Sequence, residues 1–270
     1  MIQAFPCPCS AGGFNPCGWG RGADGSRLQG NTAIDASIQL NPIATVHSCF
    51  GEKFGVPRQP LLADASRAAI ELLPPLNTPD AVAGLEDNTH IWVVFQFHQA
   101  AGQWSTKVRP PRLGGNKKLG VLATRSPFRP NNIGLSVVRL LEVRTSPKVE
   151  LIVGGADLVD GTPILDIKPY IPYADVLVEA QSAFAGDAPA PVTVDIPREV
   201  LQVASDYRDC WGTDLPLLIR QVLAQDPKPA YQKPEPDRIY GMKLCGFDLR
   251  WRYSGEGKIE VLALEPGGDS

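Results

Sequence analysis

The chain has 270 residues, of which 43% are hydrophobic, and this length and composition suit one large soluble domain or two smaller ones. Its 26 Lys and Arg residues are outnumbered by 29 Asp and Glu residues, so the net charge of −3 gives no overall attraction to nucleic acid. No run of about 18 apolar residues is present, which excludes a membrane-spanning helix, and the first residues lack a signal-peptide pattern, so we expect a cytoplasmic protein.

Residues 1–38 form a head that is rich in Gly, Pro and Cys and lacks the periodicity of a helix or a strand. We expect this segment to be flexible. Cys7, Cys9 and Cys17 lie close together, as zinc ligands do, but the fourth ligand is missing. The head is therefore predicted to hold no metal and to be dispensable for folding.

Between residues 39 and 180, runs of β-branched and aromatic residues are separated by turns that contain Pro and Gly. Few windows have helical periodicity, whereas a doubly wound sheet would need helices of about ten residues or more between its strands. The pattern therefore predicts a mainly β fold, a closed and mostly antiparallel barrel. The predicted strands cover residues 42–50, 89–99, 120–124, 135–144, 149–161 and a short part of 162–176.

A second domain is predicted after an Ala- and Pro-rich boundary at residues 179–193. Residues 197–211 and 214–225 have helical spacing, and Asp214 is a suitable N-cap for the second helix, with Pro216 in its first turn. Residues 238–253 and 258–266 are predicted to form a hairpin. Residues 194–270 are thus expected to form a small α+β domain.

The stretch GVLATRSPFRPNNIGLS, residues 120–136, places two arginines and two prolines between two apolar runs. Pro127 and Pro130 fix the backbone φ angle, so the segment is predicted to be a stiff loop that presents Arg125 and Arg129. Gly134 then allows the backbone to approach a ligand closely. The alternative for either arginine is a surface ion pair.

This loop belongs to a basic block between residues 104 and 148, in which ten Lys and Arg residues face Glu142 alone. Because Pro and Gly are interleaved with the arginines, the block is predicted to be a loop that presents its charges rather than a solvated helix. A phosphate-bearing partner and a merely solvated face are both consistent with this pattern.

Several motifs together resemble those of the TrmO-type, or TsaA-like, tRNA methyltransferases. They are PRQP (57–60), FQFHQ (95–99), RPPRLGGN (109–116), GVLATRSPFRPNNIGLS, DLVDGTPILDIKPYIPYAD (157–175) and AQDPKPAY (224–231). The resemblance implies a β-barrel enzyme that uses S-adenosylmethionine to methylate the exocyclic nitrogen of N6-threonylcarbamoyladenosine beside the tRNA anticodon. It also implies a dimer with the cofactor near the subunit interface.

The resemblance assigns the cofactor to residues of several motifs. Arg125, at the predicted end of a strand, is our first candidate for contact with the cofactor, through hydrogen bonds or through the cofactor carboxylate. Alternative roles are a core position for His98 and a surface ion pair for Arg125. The predicted cofactor residues are Gln59, Pro60, Leu61, Phe97, His98, Arg125, Leu135, Leu165, Asp166, Ile167 and Lys168.

Asp166 and Lys168 alternate about Ile167, so in a strand they share one face. They would either pair with each other or bind opposite ends of a zwitterionic ligand. The substrate nitrogen carries a proton that must leave during methylation, and Asp166 is our candidate acceptor. Catalysis by positioning alone is equally consistent with the sequence.

Contacts with tRNA are predicted from cations and aromatic rings in the basic block and in the second domain. A core position for Tyr170 and ordinary solvated roles for the others are the alternatives. The predicted RNA-binding residues are Arg112, Lys117, Arg129, Tyr170, Lys228 and Tyr231.

The sequence departs from the family pattern at four motif positions. Leu61 replaces the usual Gly after PRQP, and Asn132 and Cys49 each replace Pro. Phe128 stands where the family has His or Thr. The head, residues 1–38, has no counterpart in the family. The replacement of Gly by Leu61 calls into question the close approach of the backbone at this position.

Three functions compete at this stage. The first is the tRNA methyltransferase that the resemblance implies, with S-adenosylmethionine as cofactor. The second is a methyltransferase of the same fold that acts on another substrate. The third is an RNA-binding barrel without catalytic activity.

Overall fold

The computed structural model describes residues 38–110, 117–182, 185–186, 190–228, 235, 238–255 and 257–267. The predictions for the cysteine-containing head, for Arg112 and for Tyr231 lie outside the described residues. Within the described ranges, no helix is long and apolar enough to cross a membrane. The same ranges contain no group of three or more His, Cys, Asp or Glu side chains that could hold a metal ion.

Six strands close into a barrel in the order β1-β2-β7-β6-β3-β8, and every neighbouring pair is antiparallel. A separate two-stranded sheet pairs β4 with β5. The predicted fold class, mainly β with a closed antiparallel barrel, is confirmed. In chain order the strands are β1 (Ala44–Ser48), β2 (Arg67–Leu72), β3 (His90–Gln96), β4 (Lys107–Val108), β5 (Leu119–Gly120), β6 (Ile133–Arg144), β7 (Glu150–Gly154) and β8 (Pro163–Pro169).

The interior of the barrel is filled by apolar side chains that alternate along each strand. In β3, Ile91, Val93 and Phe95 point inward and are at most 4% exposed, while the residues between them are half-buried. Burial of each such side chain contributes about 1.5–3 kcal/mol to folding. Because the lumen is filled, a ligand must bind at the rim of the barrel or on its outer surface.

Three strand predictions in the barrel need correction. The prediction omits β2, because its sequence RAAIEL has few β-branched or aromatic residues and is held in place by pairing with β1 and β7. The strand predicted at 120–124 is wrong, since only its first residue belongs to β5 and Val121–Ala123 form a 3₁₀ turn. β7 ends at Gly154 because Gly155 takes a positive φ of 72°.

The C-terminal part of the structure is a four-stranded sheet, in the order β10-β11-β12-β9, with two longer helices. The cap prediction is confirmed, because the Asp214 carboxylate accepts a hydrogen bond of 3.0 Å from the Leu217 amide. The predicted hairpin is present between β11 and β12, but a turn at Cys245 and Gly246 divides its first arm into two strands, β10 and β11. The elements are α1 (Pro172–Asp175), β9 (Thr193–Asp195), α2 (Arg198–Asp206), α3 (Leu215–Ala224), β10 (Tyr240–Leu244), β11 (Phe247–Gly255) and β12 (Lys258–Pro266).

The loop between β1 and β2, residues 49–66, packs against this C-terminal sheet. Cys49, Phe50, Ala63 and Ala65 belong to the same buried cluster as residues of α3 and β11. The Ala65 amide donates a hydrogen bond of 2.8 Å to the Gln221 side-chain oxygen. The C-terminal domain therefore supports the loop that carries the PRQP motif at the rim of the barrel.

Candidate functional site

A cavity of about 530 Å³ lies at one rim of the barrel. Its walls come from residues 53–60 of the β1–β2 loop, from residues 95–100 at the end of β3, and from the loop between β5 and β6. The first residues of β6 (133–136), residues 157–159 and Thr162 complete the lining. This volume is within the range of about 300–1,000 Å³ that is typical of small-molecule sites.

The loop from Thr124 to Asn132 is held in shape by hydrogen bonds within itself. The Arg129 guanidinium donates to the carbonyl oxygens of Thr124 and Val121, at 2.8 and 3.2 Å. The Asn132 side-chain amide donates to the Pro127 carbonyl at 2.7 Å. Arg129 thus acts as an internal brace, which argues against the phosphate contact that we predicted for it.

Arg125, in contrast, leaves this loop and reaches the opposite wall of the cavity. Its guanidinium donates a hydrogen bond of 2.6 Å to the Gln59 side-chain oxygen, and the arginine is exposed. The sequence places these residues 66 positions apart. The structure therefore brings two of the predicted cofactor residues into direct contact across the site.

The predicted cofactor residues divide into two sets in the structure. One set does not line the cavity: it consists of Leu61, which follows the lining residue Pro60 in sequence, and of four residues of β8, Leu165, Asp166, Ile167 and Lys168. Those that line it are Gln59, Pro60, Phe97, His98, Arg125 and Leu135.

Asp166 and Lys168 share the outer face of the barrel, as the strand pattern predicts. The Lys168 ammonium lies 2.8 Å from the Asp166 carboxylate, and the two side chains are 66% and 45% exposed. The other carboxylate oxygen of Asp166 accepts a hydrogen bond from the Ile167 amide. Of the two alternatives, the structure contains the mutual ion pair, and it places Asp166 outside the cavity.

The cavity contains a carboxylate that the sequence analysis overlooks, that of Asp157. The Ser136 hydroxyl donates a hydrogen bond of 2.7 Å to one of its oxygens. Burial raises the pKa of Asp157 to about 6, although the Ser136 hydrogen bond and the charge of Arg125 act in the opposite direction. Asp157 is the first residue of the motif at 157–175, and this position could have identified it as a site residue.

Lys53 and Arg58 also line the cavity and were not predicted as site residues. The Lys53 ammonium donates to the Gln99 carbonyl at 2.7 Å. Arg58 makes a long contact of 3.5 Å to the Lys228 carbonyl in the C-terminal domain. Arg58 lies within the PRQP motif, and its position there could have identified it, whereas Lys53 lies outside the motif.

The predicted RNA-binding residues are scattered in the described structure. Lys117 is exposed, and Tyr170 packs against Trp92 on the outer barrel wall with ring centroids 5.8 Å apart. The Lys228 side chain is 11% exposed, forms an ion pair with Asp226 and lies over the Tyr253 ring. Lys228 is therefore engaged inside the protein, which argues against the predicted phosphate contact.

Comparison with known proteins assigns the chain to a family. Residues 45–176 match the model of the tRNA-methyltransferase O N-terminal domain, and residues 189–267 match that of the TrmO C-terminal domain. The chain belongs to the TrmO family. The resemblance inferred from the motifs is thereby confirmed.

Relatives in the TrmO family cover most of this chain. A putative S-adenosylmethionine-dependent methyltransferase, RcsF, of Pseudomonas aeruginosa is 48% identical over 85% of this chain and 98% of the relative. The tRNA (adenine(37)-N6)-methyltransferase of Escherichia coli is 46% identical over 86% of this chain and 99% of the relative. A crystal structure of TrmO from P. aeruginosa aligns with a TM-score of 0.72 and 40% identity, over 86% of this chain and 98% of that one.

Two departures from the TrmO pattern fall where the backbone is left-handed. Leu61 has a φ of 64°, which explains why the family usually has Gly there, and its amide donates to the Gly155 carbonyl at 2.8 Å. Asn132 has a φ of 48°, which the proline of other members cannot adopt. In this chain, the β1–β2 loop and the β5–β6 loop, which border the cavity, thus each contain a non-glycine residue with a positive φ angle.

The contact between Leu61 and Gly155 yields a prediction on stability. Gly155 has a φ of 72°, and a Cβ there would lie 3.1 Å from Leu61 Cα and 2.5 Å from its Cδ2. We expect Gly155→Ala to lower the free energy of unfolding by about 1–2 kcal/mol, measured by urea denaturation. Gly84→Ala is the control, because Gly84 has a φ of 79° with open space around it. Equal losses in both variants would show that the Leu61 contact adds nothing.

Proposed function

We propose that this protein is an S-adenosylmethionine-dependent methyltransferase that methylates the N6 nitrogen of adenosine 37, beside the anticodon of tRNA. The observation that carries the proposal is the cavity lined by Gln59, His98 and Arg125, in a chain that aligns over 86% of its length with the tRNA (adenine(37)-N6)-methyltransferase of E. coli. The substrate nucleoside is N6-threonylcarbamoyladenosine.

The residues of the cavity fit the cofactor in chemical type and in size. Phe97 and Leu135 supply apolar surface, while the hydrogen-bonded pair of Gln59 and Arg125 supplies a polar end with a positive charge. Such a combination suits a ligand that has an aromatic base at one end and an amino acid carboxylate at the other. The bound cofactor supplies a methyl group on a positively charged sulfur.

The contribution of the protein is mainly to hold the two reactants in line. The brace formed by Arg129 and the fixed φ angles of Pro127 and Pro130 keep the loop in one shape before a ligand binds. Positioning reacting atoms about 3–3.5 Å apart can supply several kcal/mol of the barrier to reaction. The packed barrel beneath the cavity excludes water from that side.

The charges of the cavity suit an anionic substrate. The described lining contains Lys53, Arg58, Arg125 and Arg129 against the single carboxylate of Asp157. The cofactor and the threonylcarbamoyl group each carry a carboxylate, so a lining with excess positive charge favours both of them. This balance supports a threonylcarbamoylated nucleoside over unmodified adenosine as the substrate.

We also propose that the protein is a cytoplasmic homodimer. Leu122, Phe128, Ile133 and Leu135 are between 37% and 80% exposed on and beside the cavity loop. Exposed apolar side chains grouped in this way are typical of an interface, and a second copy would cover them. The division into a head (1–38), a cofactor-binding barrel (39–180) and a tRNA-contacting domain (194–270) remains part of this proposal.

The basic block contributes to tRNA binding through only part of its length. Near its C-terminal end, Arg139 pairs with Asp64, Arg144 with Glu142, and Lys148 with Glu71 and Glu150. Around β4 and β5, the side chains of Lys107, Arg109, Lys117 and Lys118 are exposed. We assign the phosphate contacts to this second group.

This assignment predicts a difference in salt dependence. We expect Lys117→Ala to weaken tRNA binding and to reduce the slope of log affinity against log salt by about one unit, since one counterion fewer is released. Lys148→Ala is the matched control, and its slope should equal that of the wild type, because Lys148 is already paired with carboxylates. Filter-binding titrations over a range of salt measure both, and equal slopes in all three proteins contradict the assignment.

Two experiments separate the proposed function from its alternatives. Calorimetric titration with S-adenosylmethionine is expected to give saturable binding, whereas an RNA-binding barrel without catalytic activity would give none at millimolar cofactor. Mass spectrometry of tRNA nucleosides from cells that lack the gene is expected to show loss of the N6-methylated threonylcarbamoyl nucleoside. Survival of that nucleoside would mean that this methyltransferase acts on another substrate.

A further inference from the structure

The carboxylate of Asp157 lines the cavity that we assign to the proposed reaction. Asp157 follows β7, and its side chain contacts Ser136 of β6 in the lining of the cavity. Among the described lining residues it is the one carboxylate. The other ionisable groups that line the cavity in the described structure are Lys53, Arg58, His98, Arg125 and Arg129, and the charge of Arg125 acts on Asp157.

The surroundings of this side chain hold it in one orientation and leave acceptor capacity. Ser136 is 2% exposed, and its hydroxyl donates to one carboxylate oxygen at 2.7 Å, which fixes the rotamer of the acid. A carboxylate has about four acceptor positions, so the hydrogen bonds from Ser136 and from the backbone amide of Asp157 itself leave others for a substrate N–H. Asp166, our candidate from the sequence, lacks this placement because it lies outside the cavity and is paired with Lys168.

We propose that Asp157 is the catalytic residue that accepts the proton of the substrate N6 nitrogen, an inference that rests on the proposed function. The nitrogen forms a bond to the methyl carbon while the carbon–sulfur bond breaks, and the electron pair of that bond stays on sulfur. The N6 proton passes to the Asp157 carboxylate. The sulfonium charge is thereby neutralised and Asp157 becomes a neutral acid, so atoms and charges balance.

The acid–base properties of Asp157 suit this step. A pKa of about 6, raised by burial, leaves the group mostly ionised at neutral pH and makes it a stronger base than an ordinary aspartate. Because the Ser136 hydrogen bond and the Arg125 charge both lower this pKa, removal of either should raise it. The pKa of Asp157 thus depends on Ser136 and Arg125, and it can be measured in variants of either residue.

The main test compares Asp157→Asn with wild type in single-turnover methylation of threonylcarbamoylated tRNA. We expect the rate to fall by about 10²–10⁴-fold, the usual contribution of a positioned base, while calorimetric affinity for S-adenosylmethionine changes by less than about threefold. Asp160→Asn is the matched control, because Asp160 is an exposed acid three residues away whose carboxylate caps the Ser48 amide. Its rate should equal that of wild type.

A second variant and a second readout keep the inference testable if Asp157→Asn does not fold. NMR titration of the cofactor-free protein should give a carboxyl group with a pKa of about 6. In Ser136→Ala, this pKa and the acidic limb of the pH–rate profile should both move to higher pH. If neither moves, if Asp157→Asn keeps a rate within tenfold of wild type, or if it loses cofactor binding in parallel with rate, Asp157 is not the proton acceptor. Failure of the proposed function is a separate result, in which wild type itself transfers no methyl group to tRNA.

Discussion

Arg125→Ala is expected to weaken binding of S-adenosylmethionine by about 10- to 150-fold, which corresponds to the 1.5–3 kcal/mol of a hydrogen bond to a charged group. Arg125 is the cation that spans the cavity, and its guanidinium is held by Gln59 at 2.6 Å, so it is preorganised to bind a carboxylate. Calorimetric titration of the variant measures the loss. Because the Arg125 charge lowers the pKa of Asp157, the same variant should also move the acidic limb of the rate profile to higher pH.

Arg139→Ala is the control for this prediction, because Arg139 is also on the barrel and pairs with Asp64 away from the cavity. Its cofactor affinity should stay within about twofold of wild type, as expected for a surface ion pair. An Arg125→Ala protein that folds normally and binds the cofactor as tightly as Arg139→Ala would remove Arg125 from the site.

Gly134→Ala is expected to lower the free energy of unfolding by about 1–3 kcal/mol and to impair cofactor binding as well. A Cβ at this position would lie 2.3 Å from the Phe95 ring, which is itself packed edge-on against Phe97 at 5.0 Å between centroids. Phe95 and Gly134 are register partners in β3 and β6, and both line the cavity. The ring must therefore move, and its movement alters the wall that Phe97 forms.

Gly120→Ala is the matched control, since Gly120 has an ordinary φ of −60° and no atom lies within 4 Å of the position that a Cβ would take there. Urea denaturation and calorimetric titration should give values close to wild type for this variant. If Gly134→Ala gives the same values as Gly120→Ala, the cavity wall tolerates displacement of Phe95 and the steric account is wrong.

The barrel and the cap of α3 were predictable from sequence because each depends on local pattern. Alternation in β3 and the spacing of turn residues indicate antiparallel strands, and an aspartate before Pro216 indicates a helix start. β2 lacked such a pattern, since its alanines become strand residues only through pairing with β1 and β7. Tertiary pairing, which is not written in the local sequence, decided its conformation.

The candidate site was predictable only in part, for a related reason. Motifs identified Gln59 and Arg125, but whether a charged side chain is braced, paired or available depends on partners far away in sequence. The Arg129 guanidinium donates hydrogen bonds to carbonyl groups of its own loop, and Lys228 forms an ion pair with Asp226. Both charges therefore have partners within the protein. The role of Gly134 likewise depends on the ring of Phe95, which faces it across the sheet.

The most direct test of the central claim is methyl transfer by the purified protein in vitro. The reaction contains S-adenosylmethionine with an isotopically labelled methyl group and tRNA that carries threonylcarbamoyladenosine at position 37, and the nucleosides are separated by mass spectrometry. We expect one labelled methyl group on the N6 nitrogen of that nucleoside, with little or none on tRNA whose position 37 is not adenosine. Label on a different nucleoside, or no label in the presence of bound cofactor, would contradict it.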